Sequence, residues 1–182
     1  MVTVIQQQAK KTSPSACFQK DHQEFLHKSD SLHQVLKNIC YEGKLLLGRN
    51  LKRADYLLQF FETRFVKHLA IEEKVLYPFI EIHIPRYASV IRFFYREHKD
   101  LSETVRQLRQ IVRRLHASQN CLWDKELVET LQWKGAYLNH LLQSHIKTET
   151  ETVLHALERE LQQEERRELS RELRQSRFHQ IF

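Results

Sequence analysis

Apolar residues recur every three or four positions through most of this chain, and almost nothing interrupts them: 182 residues contain three Gly and three Pro. That period is the spacing of one helix face, and a chain so poor in turn residues has little with which to punctuate a sheet. The first stretch runs from about Phe18 to Tyr41, with Phe18, Phe25, Leu32, Leu36 and Ile39 on one face. Gly43 and Gly48 weaken the pattern, which resumes near Leu51 and continues to Phe79, with Pro78 in the last turn and Pro85 closing the connection. A third stretch spans about Arg86 to Leu115, and a fourth starts near Leu122 with no Gly or Pro to stop it before the C-terminus. Four amphipathic helices joined by short connections bury their apolar faces most simply against one another. The expectation is an all-α, antiparallel up-down-up-down four-helix bundle.

The expected organisation is a flexible tail over residues 1–16, the bundle over 17–160 and a charged helical extension over 161–182. In that extension Leu161, Leu169 and Leu173 are sparse among charges, which reads as a solvated helix. Apolar Phe178, Ile181 and Phe182 at its end raise the other possibility, a protein partner or self-association. No apolar run approaches the roughly 20 residues of a bilayer span, so no membrane is expected. Residues 1–16 lack the apolar segment of a secretory signal. Cys17, Cys40 and Cys121 are odd in number and without a CxxC pair, against both a disulfide framework and a thiolate metal site. A cytoplasmic location follows as an expectation. The formal charge of +6 admits an acidic partner, but no nucleic-acid motif accompanies it. Arg92, Arg96, Lys99, Arg106 and Arg113 on the third helix read as a solvated face.

Two segments place a carboxylate one helical turn after a histidine: His68-Leu-Ala-Ile-Glu72 and His145-Ile-Lys-Thr-Glu149. In each, both side chains face the same way about 6 Å apart along the axis, a grip suited to one metal ion or to two adjacent ones. With eleven His in the chain, roughly one such pair arises by chance, so position carries more weight than the motif. Around a turn near His83, His68 lies fifteen residues before and His98 fifteen after. Around a turn near Asn120, His98 lies twenty-two before and His145 twenty-five after. His22 lies twenty-one residues before Gly43, and His68 eighteen after Asn50. In an up-down bundle each helix thus brings one His to one layer. Buried ionisable groups are costly unless paired or metal-bound, so His22, His68, Glu72, His98, His145 and Glu149 are the candidate metal ligands. Imidazole and carboxylate without thiolate suit iron or manganese, with zinc tolerated.

Other histidines fit less well. Glu24 and His27 form an ExxH step like those of ferritin-like di-iron bundles, but the chain has one such step and that architecture needs two. His33 lies roughly 16 Å along the helix from His22. His140 lies about 140° round from His145. Phe61, Phe65 and Phe94 share faces with the candidate ligands and are expected to be core that also walls the site.

The segments Asp21-His22, HLAIEEKVLYP from 68 to 78, REHKDL from 96 to 101 and HIKTETETVL from 145 to 154 together resemble the hemerythrin-like, or HHE cation-binding, family. The resemblance covers about residues 18–157. It implies two non-haem iron ions, oxo- or hydroxo-bridged, with Glu72 and Glu149 as bridges and the four histidines as terminal ligands. It also implies a small diatomic gas (dioxygen or nitric oxide) or peroxide as partner, in sensing or stress response. The ligand spacing is similar, too, to the iron-cluster repair proteins of that family, which makes peroxide or nitric-oxide reduction or cluster repair the alternative. Oxygen-carrying hemerythrins have a further histidine one turn along the third helix, where this chain has Ser102. Six protein ligands leave an additional position for water or an exogenous ligand.

Overall fold

The computed structural model describes residues 14–41, 44–117 and 124–179. Among these, all but Ile84, Asp124 and residues 160–162 are helical, and there is no strand. The helices are α1 (Pro14–Tyr41), α2 (Lys44–Phe60), α3 (Val66–Ile71), α4 (Tyr77–His83), α5 (Ala88–Ala117), α6 (Lys125–Glu149), α7 (His155–Arg159) and α8 (Gln163–His179). The all-α expectation holds, and the elements are consistent with a helical bundle. None of the described helices is long and apolar enough to cross a membrane.

The boundaries depart from the periodicity in instructive ways. Helix starts again at Lys44 rather than near Leu51, because Gly48 sits exposed inside α2 with open space about its Cα, where its helical cost of about 1 kcal/mol is absorbed by good flanking helix formers. Asp124 opens α6, its Oδ1 accepting from the Leu127 N–H at 3.0 Å and satisfying one of the amides that a helix start leaves unpaired. The expected start near Leu122, and most of the tail over 1–16, lie outside the described residues, although Pro14–Tyr41 already includes residues 14–16.

Three five-residue π-turns, Phe61–Phe65, Glu72–Leu76 and Thr150–Leu154, lie within the helical runs. The residue before each stays in the right-handed helical region (Ile71 φ −71, ψ −42; Glu149 φ −63, ψ −43), so the run continues instead of breaking. A π-turn admits an extra residue and so changes which face the following side chains present, and such turns concentrate at functional sites. One begins at Glu72 and another directly after Glu149.

The described chain belongs to two compact units. The first comprises residues 1–23, 67–96 and 146–182, the second residues 24–66 and 97–145. The first is built on a buried cluster that includes Phe18, Leu76, Tyr77, Phe79, Phe94 and Leu154. The second buries Phe25, Phe61 and Phe65 as touching rings 5.1–5.7 Å apart. There Gly135 permits a close approach: a Cβ on it would stand 2.4 Å from Leu36 Cδ1. Arg109, mostly buried, is clasped in the same unit by Asp55 Oδ1 at 2.6 Å.

Beyond residue 159 the expectation of an unbroken, solvated extension fails. The chain turns at residues 160–162 and α8 returns to the first unit, where Leu161, Leu169 and Leu173 join the same buried cluster as Leu76 and Phe79. No Gly or Pro makes this turn. Polar side chains do: Glu165 Oε2 accepts from the Gln162 N–H at 2.7 Å, a glutamate reaching back to the residue three before it. Arg166 donates to the carbonyls of Leu161 and Glu158, which the ending helix leaves without intrahelical partners. His83, stacked on Phe79, holds α8 through Glu165 Oε1 at 3.0 Å, and Tyr87 Oη donates to Glu160 at 3.1 Å. The side chains of Phe178, Ile181 and Phe182 lie outside the described part.

Candidate metal centre

The first unit gathers four of the six expected ligands. His22 stands on α1 and His68 on α3, Glu72 opens the following π-turn, and Glu149 closes α6. The one-turn spacing works as expected, His68 Nε2 lying 2.7 Å from Glu72 Oε1. His22 brings its Nε2 to the same place, 3.1 Å from His68 Nε2, 3.5 Å from Glu72 Oε1 and 3.2 Å from Glu149 Oε2. Donor atoms of His22, His68 and Glu72 all lie within 4.8 Å of one another. That is near the spacing of ligands that each stand about 2.0–2.2 Å from one ion.

All four side chains are buried, and Glu72 and Glu149 are 0% exposed. Two carboxylates in so dry a place need positive charge. In the metal-free protein, protons on the imidazoles provide it. Burial acts to lower the pKa of His22, but hydrogen bonds to Glu149 and Glu72 and the charges of both outweigh it and raise it to about 10. His68 is likewise raised: burial opposes, and the Glu72 charge with hydrogen bonds to Asp21 and Glu72 prevails. These imidazole and carboxylate donors are the kind that suit iron or manganese, and the group of His22, His68 and Glu72 could hold a metal ion.

Tyr77 completes this half. Its Oη donates to Glu149 Oε1 at 2.8 Å, and its ring stacks on Phe94 and meets the edge of Tyr95. Burial first, then the charges of Glu149 and Glu72, push the phenol pKa well up, so it stays a donor. The ring of Phe18 lies edge-on to His68 at 5.5 Å and excludes water from that side.

The second unit holds the other two expected ligands, His98 on α5 and His145 on α6, both buried. Their rings lie 4.9 Å apart at 65°, close to the 5.0 Å and 71° of His22 and His68. His145 Nδ1 lies 2.8 Å from Glu97 Oε2. The six residues thus divide four and two between the units.

The residues set aside in the sequence stay aside. His27 and His140 are exposed, His33 is half-buried, and Glu24 pairs with Arg64 at 3.4 Å. None of them joins a three-donor cluster among the described residues. Phe61, Phe65 and Phe94 are fully buried. Arg92, Arg96, Lys99, Arg106 and Arg113 are exposed, Arg106 being paired with Glu103 at 2.6 Å. Sequence reasoning missed three participants: Tyr77, Asp21 and Glu97. The last two carry a signal, an acidic residue directly before a candidate histidine in Asp21-His22 and Glu97-His98. Tyr77 carries none on an α-helix, because five residues place it about 140° from Glu72.

The family model for the hemerythrin HHE cation binding domain matches residues 18–157. No curated protein matches the chain.

Proposed function

The chain belongs to the hemerythrin HHE cation-binding family, and we propose that it is a metal-binding sensor or stress-response protein built on a non-haem di-iron centre. The carrying observation is the convergence of His22, His68 and Glu72, all buried, on one point inside the first unit. In this reading the long helices form an antiparallel up-down-up-down bundle. His22, His68, His98 and His145 would hold the iron as terminal ligands, with Glu72 and Glu149 as the bridging carboxylates. Bound iron supplies a place for dioxygen, nitric oxide or peroxide to coordinate and electrons to exchange with it. The chain's own residues prepare that place. Glu72 and Glu149 set its negative charge, Tyr77 fixes the bearing of Glu149, and Phe18 keeps water from His68.

Ser102, half-buried where oxygen carriers have a histidine, favours a second reading in which the same centre turns over, reducing peroxide or nitric oxide or donating iron to damaged clusters. Metal content decides the first question. Protein purified without chelator or nickel resin is expected to carry about two irons per chain, as the donor set implies. No metal, and no uptake of ferrous iron without oxygen, overturns the proposal. A stoichiometric adduct with nitric oxide and no turnover favours the sensor; sustained peroxide or nitric-oxide consumption favours the enzyme.

A further inference from the structure

Each half of the chain repeats one arrangement. An acidic residue and a histidine stand side by side on one helix, Asp21-His22 and Glu97-His98, and a His-x-x-x-Glu pair stands on the next helical run. In each half the acidic residue faces the Nδ1 of the second histidine and leaves its Nε2 side to the site: Asp21 Oδ2 lies 3.4 Å from His68 Nδ1, and Glu97 Oε2 lies 2.8 Å from His145 Nδ1. A neutral imidazole that donates its Nδ1–H to a carboxylate presents the Nε2 lone pair, and the carboxylate makes that nitrogen a better ligand.

The two supports are unequal. The Glu97 contact has the length of a strong charge-assisted hydrogen bond, and its carboxylate is 11% exposed. The Asp21 contact is longer and its carboxylate is 22% exposed, so water competes for it more.

We propose that Asp21 and Glu97 are positioning residues that hold His68 and His145 in the Nε2-ligating tautomer, and that the tighter hold on His145 makes its side of the centre the first to load. This rests on the di-iron reading above. It goes further by making the two metal positions inequivalent through residues that touch no metal.

The test is an anaerobic titration of the full-length metal-free protein with Co²⁺, read by the ligand-field absorption of the bound ion and by competition with a chelating dye. Wild type is expected to take up the ion in two steps of different affinity. Glu97→Ala should weaken the tighter step about ten- to hundredfold and shift its absorption band, the range found when an outer carboxylate partner of a ligating histidine is lost. Glu97→Gln keeps the shape and an acceptor oxygen while dropping the charge, so it should recover part of that loss. Asp21→Ala should cost less than Glu97→Ala. Wild-type binding by both Glu97 variants overturns the proposal, as does a cost for Asp21→Ala equal to or above that for Glu97→Ala. Should Glu97→Ala not fold, Glu97→Gln against Asp21→Asn decides by the same order. Absence of Co²⁺ uptake by wild type is a different failure: it removes the metal reading itself, and the inference with it.

Discussion

Tyr77→Phe isolates one hydroxyl at a fully buried carboxylate, Glu149. The substitution leaves no cavity, since Phe keeps the ring that stacks on Phe94 at 6.0 Å and meets Tyr95 at 5.4 Å. What disappears is the 2.8 Å bond to Glu149 Oε1. A hydrogen bond to a charged acceptor contributes about 1.5–3 kcal/mol, and the loss tends to the upper part of that range when the acceptor stays behind fully buried, as Glu149 does. At about 2–4 °C per kcal/mol for a chain of this size, the metal-free protein should melt roughly 3–12 °C lower. The loaded protein should show a second effect. If Glu149 bridges metal as proposed, losing the group that fixes its bearing should loosen metal binding about tenfold. Thermal denaturation by circular dichroism, with and without metal, reads the first, and dye competition reads the second. A Tyr77→Phe protein within 1 °C of wild type, with unchanged metal affinity, would refute the reasoning that the phenol fixes Glu149.

Further outcomes are expected from the same structure. With His22 raised to about 10, its protonation stabilises the folded metal-free protein fully below about pH 6.5, and that contribution is lost as pH rises through 10; metal uptake at pH 7 should therefore expel at least one proton, which an unbuffered pH-stat titration counts. Leu169→Ala removes a fully buried side chain of α8 and should cost about 2–5 kcal/mol in urea denaturation, whereas a solvated helix would lose almost nothing. The Gln162 N–H and His83 hold the Glu165 carboxyl below its usual range, so the docking of α8 should persist above the ordinary carboxylate pKa and weaken as pH falls through the lowered one, visible as faster amide exchange over residues 163–179. His68→Ala and Glu149→Ala should each abolish stoichiometric metal binding, measured by metal analysis after dialysis; retained metal in both places the ligands elsewhere.

The helices were legible because burial in a helical protein is written at a fixed period, and Phe18, Phe25, Leu32 and Ile39 are buried where that period puts them. The fate of the C-terminal segment was not. Leu161, Leu169 and Leu173 among the nine charged residues of 161–182 are too few to announce an apolar face, and the turn there is made by Glu165 and Arg166 rather than by Gly or Pro. Such a turn has no compositional mark, because the same residue types lie along any exposed helix.

Part of the candidate site was legible for a different reason. A histidine and a carboxylate one turn apart are a local pattern, and His68 and Glu72 meet because the helix between them is regular. Their supporting residues act across the fold: Tyr77 reaches Glu149 from seventy-two residues away and Glu97 reaches His145 from forty-eight. Five residues of α-helix place Tyr77 on another face from Glu72, whereas the π-turn from Glu72 to Leu76, with its i to i+5 bonding, brings it back toward the site. Glu72 thus opens the turn that delivers the phenol to Glu149. Removing the extra residue of that turn, by deleting Lys74 so that α-helix runs through, puts Tyr77 four residues after Glu72, about 40° round the helix, and so should keep the phenol toward Glu149 and the metal affinity near that of wild type. If the deletion instead loses metal affinity as Tyr77→Phe does, the spacing alone does not place the phenol and the π-turn itself is required.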